Sequence, residues 1–271
     1  MTQPVLITVN GTGVPDPFGP GFSGDLGRAL GYDAWQALAA NVAGVNYSSP
    51  YFWQPIGYPA AVFPMNRSVE TGRAEVNRQI GMRPRGTKIA LSGYSQGALV
   101  VNEVWAFDVL DPRGVHHDRL DDIVGIVNFG DPMRCPGIAN GNKVAGLPMP
   151  SKLQGYTTGG IAGPRCLTPD QTPDFLLSCA LDGDLYAAAP VGDDPWSNES
   201  QVGRVETRVY NFIESGGVCD FFKIALALGA PIAMVQGIFN GLKFAAAGMN
   251  APHWKYDPFM PAMVDWLLSR V

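Results

Sequence analysis

The sequence predicts an α/β protein built on one mostly parallel, doubly wound sheet. Three observations carry that expectation. Short apolar runs alternate along the chain with stretches of helical periodicity; a Gly-x-Ser-x-Gly turn joins one such run to one such helix; and four clusters rich in glycine and polar residues fall just past the ends of strand-like runs. In sheets of this kind reactive groups collect beyond the carboxyl ends of the strands, so the shared placement of the four clusters says more than any one of them.

Pro4 to Val9 is a short apolar run suited to a buried strand, and it ends in Asn10-Gly11-Thr12-Gly13, a turn-forming cluster followed by a Pro- and Gly-rich loop through Gly24. Leu26 to Val42 has helical spacing of apolar residues. Val45 to Met65, rich in Tyr, Trp and Pro, reads as an extended segment and then a loop. Ser68 to Met82 reads as a helix with Ser68 as N-cap. Lys88 to Ser92 is the next strand; Gly93-Tyr94-Ser95-Gln96-Gly97 follows it, then a helix from Ala98 to about Asp108. The polar stretch Asp111 to Asp122 places His116 and His117 toward solvent. Ile123 to Phe129 is a strand ending at Gly130-Asp131-Pro132, residues 133–172 are loop-like, and Phe175 to Cys179 is a short strand leading into Asp182-Gly183-Asp184.

Phe221 to Gly248 is very apolar, but Gly229, Pro231, Gly237, Asn240 and Gly241 interrupt it. Proline breaks or kinks a helix, so two helices, about 219–229 and about 231–247, are expected here rather than a membrane span. No internal repeat is visible.

With 46% hydrophobic and 16% charged residues in 271, the chain can bury a sizeable core. A formal net charge of −5 without a run of Lys or Arg argues against a nucleic-acid partner, which would need a basic face. Met1 to Val9 has neither a basic leader region nor a small-residue cleavage site, so no secretory signal is expected. Cys135, Cys166, Cys179 and Cys219 show no metal-type spacing and are expected as reduced thiols, with a Cys166–Cys179 bridge left open.

The Gly-x-Ser-x-Gly turn is where chemistry enters. A sharp strand-to-helix turn holds the serine in a strained conformation, and side chains at either glycine would clash. The helix start leaves N–H groups nearby that favour negative charge on a substrate oxygen. Ser95 is therefore the candidate nucleophile. A serine hydroxyl needs a base. Of three histidines, His253 lies late in the chain, where a loop can return to the top of the sheet, in the order serine, acid, histidine. Asp131, Asp182 and Asp184 are candidate acids, and spacing leaves the choice open. Thr12, after the first strand, and Gln96, just past the nucleophile, are the candidate oxyanion-hole residues through their backbone N–H groups.

Taken together, the chain resembles the mycobacteriophage lysin B esterases, of the cutinase-like branch of the α/β-hydrolases. The stretches that carry the likeness are Val9 to Gly13 with Pro15-Asp16-Pro17, Trp53 to Gly57, Tyr58 to Ala61, Gly93 to Ala98, Asp131 to Arg134, Asp182 to Ala187, and Pro252-His253, in family order. The resemblance implies Asp184 as the acid, since it is the second Asp of the family's Asp-Gly-Asp turn, whereas similar proteins can carry Asn at Asp131. It implies a single domain, 1–271, with a helical insertion at about 205–249 between acid and histidine. It also implies hydrolysis of the ester between mycolic acids and arabinogalactan during phage lysis, through an acyl-enzyme and without metal or organic cofactor. The enzyme would be made in the host cytoplasm and act on the envelope without stable membrane insertion. A long acyl chain needs an apolar trough, and Phe221, Ile238, Phe239 and Phe244 are candidates to flank it; the alternative is that these helices pack on the sheet. A broad cutinase-like lipase and a catalytically silent envelope-binding protein are the other expectations to be weighed.

Overall fold

The strand β1 (Val5–Val9) is buried along its whole length, and so is β4 (Ile89–Tyr94), as expected of central strands in a parallel sheet covered on both faces. The computed structural model describes residues 3–32, 49–62, 64–215 and 251–271. Among them the sheet has six strands, with β2 (Gly31–Tyr32), β3 (Tyr51–Ile56), β5 (Ile123–Phe129) and β6 (Leu176–Cys179) completing the order β2-β3-β1-β4-β5-β6. Every pairing is parallel. β1 has β3 on one side and β4 on the other, so the winding changes direction between β1 and β4. Their carboxyl ends bear Thr12 and Ser95, the position where open α/β sheets form a crevice.

Alternation along the strands assigns the two faces. Val5, Ile7, Val9, Ile89 and Leu91 meet one cluster, which includes Val69, Val76 and Ile80 of α2 (Met65–Gly81) and Leu99 and Val100 of α3 (Gln96–Glu103). Leu6, Ala90 and Val127 meet the other, with Phe22, Leu26 and Leu30 of α1 (Phe22–Leu30) and Met263 and Leu267 of α7 (Met260–Leu268).

Several boundaries differ from the sequence reading. α1 starts before Leu26 and stops at Leu30, because Gly31 takes an extended backbone and pairs with Tyr51; residues 33–48 lie outside the described residues. α2 begins at Met65 behind Pro64, whose φ is −69°, so Ser68 is not its cap. The Ser68 hydroxyl is buried and accepts the Ala61 N–H at 3.0 Å instead. α3 begins at Gln96, and beyond Glu103 the coil widens into a π-helical stretch, Val104–Leu110. There the Asp108 carbonyl accepts the His116 N–H, and its carboxylate is gripped by Arg73 and Asn77. His116 and His117 are half-buried rather than turned to solvent, each with a ring nitrogen on a backbone carbonyl, of Asn77 and Val109. The expected loop 133–172 contains α4 (Asn140–Ala145), docked on the end of β6 by the Asn142 amide, which accepts the Ala180 N–H and donates to the Ala180 carbonyl.

Cys135, Cys166 and Cys179 are buried free thiols, so no Cys166–Cys179 bridge forms; Cys219 lies outside the described residues. Among the described residues no helix is long and apolar enough to cross a membrane, and the apolar segment 221–248 is not among them.

After the short α5 (Pro195–Asn198), α6 (Gln201–Ser215) leads into the expected insertion, most of which falls outside the described residues. α6 carries a buried carboxyl, Glu206, which burial first and the Glu199 charge second push up to about 7. The native state thus holds a proton that the unfolded chain gives up near the ordinary glutamate value. Stability from this site falls as pH rises between the two values, and above neutrality the whole cost is felt. Glu206→Gln is expected to leave stability near pH 4 unchanged and to raise it at pH 8 by on the order of 2 kcal/mol. Urea unfolding at the two pH values is the check.

Candidate active site

The turn at Ser95 has the conformation its sequence implies. Ser95 sits at φ 56°, ψ −119°, one of the few non-glycine residues with positive φ among those described. The glycines two positions to either side could not be larger. A Cβ on Gly93 would lie 2.5 Å from the Ala98 backbone, and one on Gly97 would lie 2.1 Å from the Val9 carbonyl oxygen. The turn is therefore clamped between its own helix and the end of β1. Ser95 is 7% exposed, and its N–H donates to the Phe129 carbonyl at 2.9 Å, fixing it to the end of β5.

The next residue of β5's exit is Gly130, at φ 57°, and the imidazole of His253 lies directly against it. A Cβ on Gly130 would stand 2.5 Å from His253 Cε1 and 3.3 Å from Asp184 Oδ2. His253, 3% exposed, comes from a short 3-10 turn, Pro252–Trp254, just ahead of α7. Its ring stacks on Tyr94, the residue before Ser95, at 5.1 Å between centroids, and the Tyr94 hydroxyl donates to the His253 carbonyl at 2.8 Å. Ser95 and His253 are thus both referenced to Tyr94 and to the Phe129–Gly130 exit.

Of the three candidate acids, only Asp184 meets the histidine. His253 Nδ1 and Asp184 Oδ2 are 2.9 Å apart, and the carboxylate is 1% exposed. Burial works to raise the Asp184 carboxyl. The His253 charge and hydrogen bonds from His253, Tyr256 and the Tyr186 N–H outweigh it and hold the group below its ordinary value. Being ionised, Asp184 can only accept, so His253 Nδ1 is the donor of this contact and Nε2 is left as the nitrogen that can take a proton.

Asp131 does other work. Fully buried, it accepts from Asn102 at 2.7 Å, Ser178 at 2.6 Å and the Met133 N–H at 2.8 Å. Asn102 in turn accepts from Asn128, whose side-chain oxygen receives the Gly93 N–H. Desolvation raises the Asp131 carboxyl in spite of those donors. This network braces the nucleophile turn from α3, β5 and β6. Asp182 is exposed and holds the loop at Ser151 through its N–H and hydroxyl.

Thr12 lies in a loop pinned on both sides: the Tyr58 hydroxyl donates to the Asn10 carbonyl at 2.7 Å, and the Gly13 N–H to the Ala60 carbonyl at 2.7 Å. A Cβ on neighbouring Gly11 would be 3.2 Å from Ser95 Cβ, which places this loop beside the nucleophile turn. The Gln96 side chain points away and donates to the Ala61 carbonyl at 2.8 Å, tying the same loops together. Phe221, Ile238, Phe239 and Phe244 lie outside the described residues. The sequence reading missed Tyr94, Gly130, Tyr186 and Tyr256. Gly130 carried a signal, being a glycine at a strand exit next to a singled-out aspartate; the tyrosines carried none beyond proximity to Ser95, Asp184 and His253.

The parallel sheet, the strained serine at its switch point and the buried acid–imidazole pair define an α/β-hydrolase of the cutinase type. The cutinase family profile matches residues 29–160. Two proteins described as endolysin B, from Mycobacterium phages L5 and D29, are each 34% identical to the chain, with 94% of both chains covered. The crystal structure of lysin B from mycobacteriophage D29 superposes with a TM-score of 0.66 at 32% identity, covering 98% of this chain and 99% of that one. The chain belongs to the endolysin B family.

Proposed function

We propose that the protein is a serine esterase that cleaves the ester joining mycolic acids to arabinogalactan in the mycobacterial envelope during phage lysis. The observation that carries the reading is the buried Asp184–His253 pair set beside a serine in a strained turn. Ser95 attacks the ester carbonyl while His253 Nε2 takes its proton. The N–H groups of Gln96 and Thr12 receive the oxyanion, and the proton passes to the departing sugar hydroxyl. Water then enters by the reverse sequence and releases the fatty acid from Ser95. Asp184 stays ionised throughout, holding the imidazole tautomer and stabilising the imidazolium. No step calls for a metal or an organic cofactor. Membership of the endolysin B family supports a role in lysis and a lipid ester in the envelope as substrate.

Purified mycolylarabinogalactan treated with wild-type protein and with Ser95→Ala tests the proposal. Free mycolic acid, detected by mass spectrometry, is expected from the wild type alone. Hydrolysis of short soluble esters with no mycolate release would instead favour a broad cutinase-like esterase.

A further inference from the structure

Asp184 has one donor more than holding an imidazole requires. Oδ1 accepts the Tyr186 N–H at 2.9 Å; Oδ2 accepts both His253 Nδ1–H at 2.9 Å and the Tyr256 hydroxyl at 2.5 Å. Tyr256 is fully buried, three residues beyond His253. Its ring is wedged between Phe22, Phe129 and Phe259, with centroids 5.7, 5.9 and 5.7 Å away, so the hydroxyl is set in place by packing. Burial first, and the Asp184 charge second, push the Tyr256 hydroxyl well above its ordinary value, so it remains a donor across the working range.

We propose that Tyr256 is a positioning residue of the esterase site, whose hydroxyl orients the Asp184 carboxylate toward His253 and draws charge from the oxygen that faces the imidazole. The inference rests on the triad reading above. Two donors on one oxygen divide its charge. With Tyr256 in place the imidazole therefore feels a tempered carboxylate, and without it the full charge of that oxygen. The titratable groups that face His253 and its acid among the described residues are Asp184 itself and the hydroxyls of Tyr94, Tyr186 and Tyr256, while the Cys179 thiol at the end of β6 acts on Tyr256. Burial raises all three tyrosines and the thiol, which leaves Asp184 as the group whose charge Tyr256 can modulate.

The test is the pH profile of kcat/KM on a short soluble ester for the full chain carrying Tyr256→Phe. The acid limb is expected to move up by about one pH unit, an approximately tenfold loss on that limb, with KM unchanged. 3-Fluorotyrosine at the same position keeps the ring packing and strengthens the donor, so it should move the limb down. A limb unmoved in both proteins, with only the melting temperature of the phenylalanine variant lowered, would overturn the proposal. If that variant does not fold, the fluorotyrosine protein decides alone. Labelling of Ser95 by a phosphonate in the wild type separates the two layers. Labelling with an unmoved limb removes only the Tyr256 role, whereas no labelling removes the esterase reading beneath it.

Discussion

Ser95→Gly is expected to abolish esterase activity and to make the protein more stable at the same time. The activity loss should reach about 10^5-fold or more in kcat, as for removal of the nucleophile from other serine hydrolases acting through a triad. The gain follows from the backbone. At φ 56°, ψ −119°, Ser95 stores strain that a residue without Cβ does not feel, and relief on the order of 1 to 2 kcal/mol is expected. Ser95→Ala should lose the same activity but keep the strain, since alanine retains the Cβ. Steady-state turnover of a short p-nitrophenyl ester, with thermal unfolding of all three proteins, checks both halves. Equal melting temperatures for the glycine and alanine variants would show that the turn is not strained as the geometry implies.

Asp184→Asn should keep the fold and lose about 10^4-fold in kcat, the size of effect seen when a triad aspartate becomes an amide. The mechanism is a tautomer exchange. An amide nitrogen facing His253 Nδ1 forces that nitrogen to accept, which puts the hydrogen on Nε2 and leaves no lone pair to receive the serine proton. The loss should fall on kcat with KM little changed, because the Asp184 carboxylate is buried and its oxygens accept from His253, Tyr256 and the Tyr186 N–H rather than facing substrate. Asp131→Asn is the contrasting variant. It perturbs the brace under the turn rather than the imidazole, and so should act mainly on stability. Comparable kcat losses in the two would contradict the separation between acid and scaffold.

Much of this was legible in the sequence where a local rule has one physical solution. A Gly-x-Ser-x-Gly between an apolar run and a helix admits few geometries, and the Val9 carbonyl, 2.1 Å from where a Gly97 Cβ would lie, shows why. Strands β1, β4, β5 and β6 were readable because double-sided burial makes them continuous apolar runs. The acid was not readable from spacing. Asp131 and Asp184 both follow strand exits, and what separates them is tertiary: Gly130 turns the first chain under His253, while Asp184 comes up beside it. Helix starts failed for a similar reason. Ser68 has the chemistry of a cap, but the neighbouring loop takes its hydroxyl at Ala61, and Pro64 opens the helix a turn earlier. Tyr256 could not have been found from sequence, because its role depends on an aromatic packing assembled from α1, β5 and the chain before α7.

Treating the protein with an alkyl phosphonate and mapping the adduct by peptide mass spectrometry tests Ser95 as the nucleophile. One adduct per chain is expected, on Ser95, and it should be lost when His253 is replaced by alanine. An adduct on a different serine, or none on a folded protein, would contradict that role.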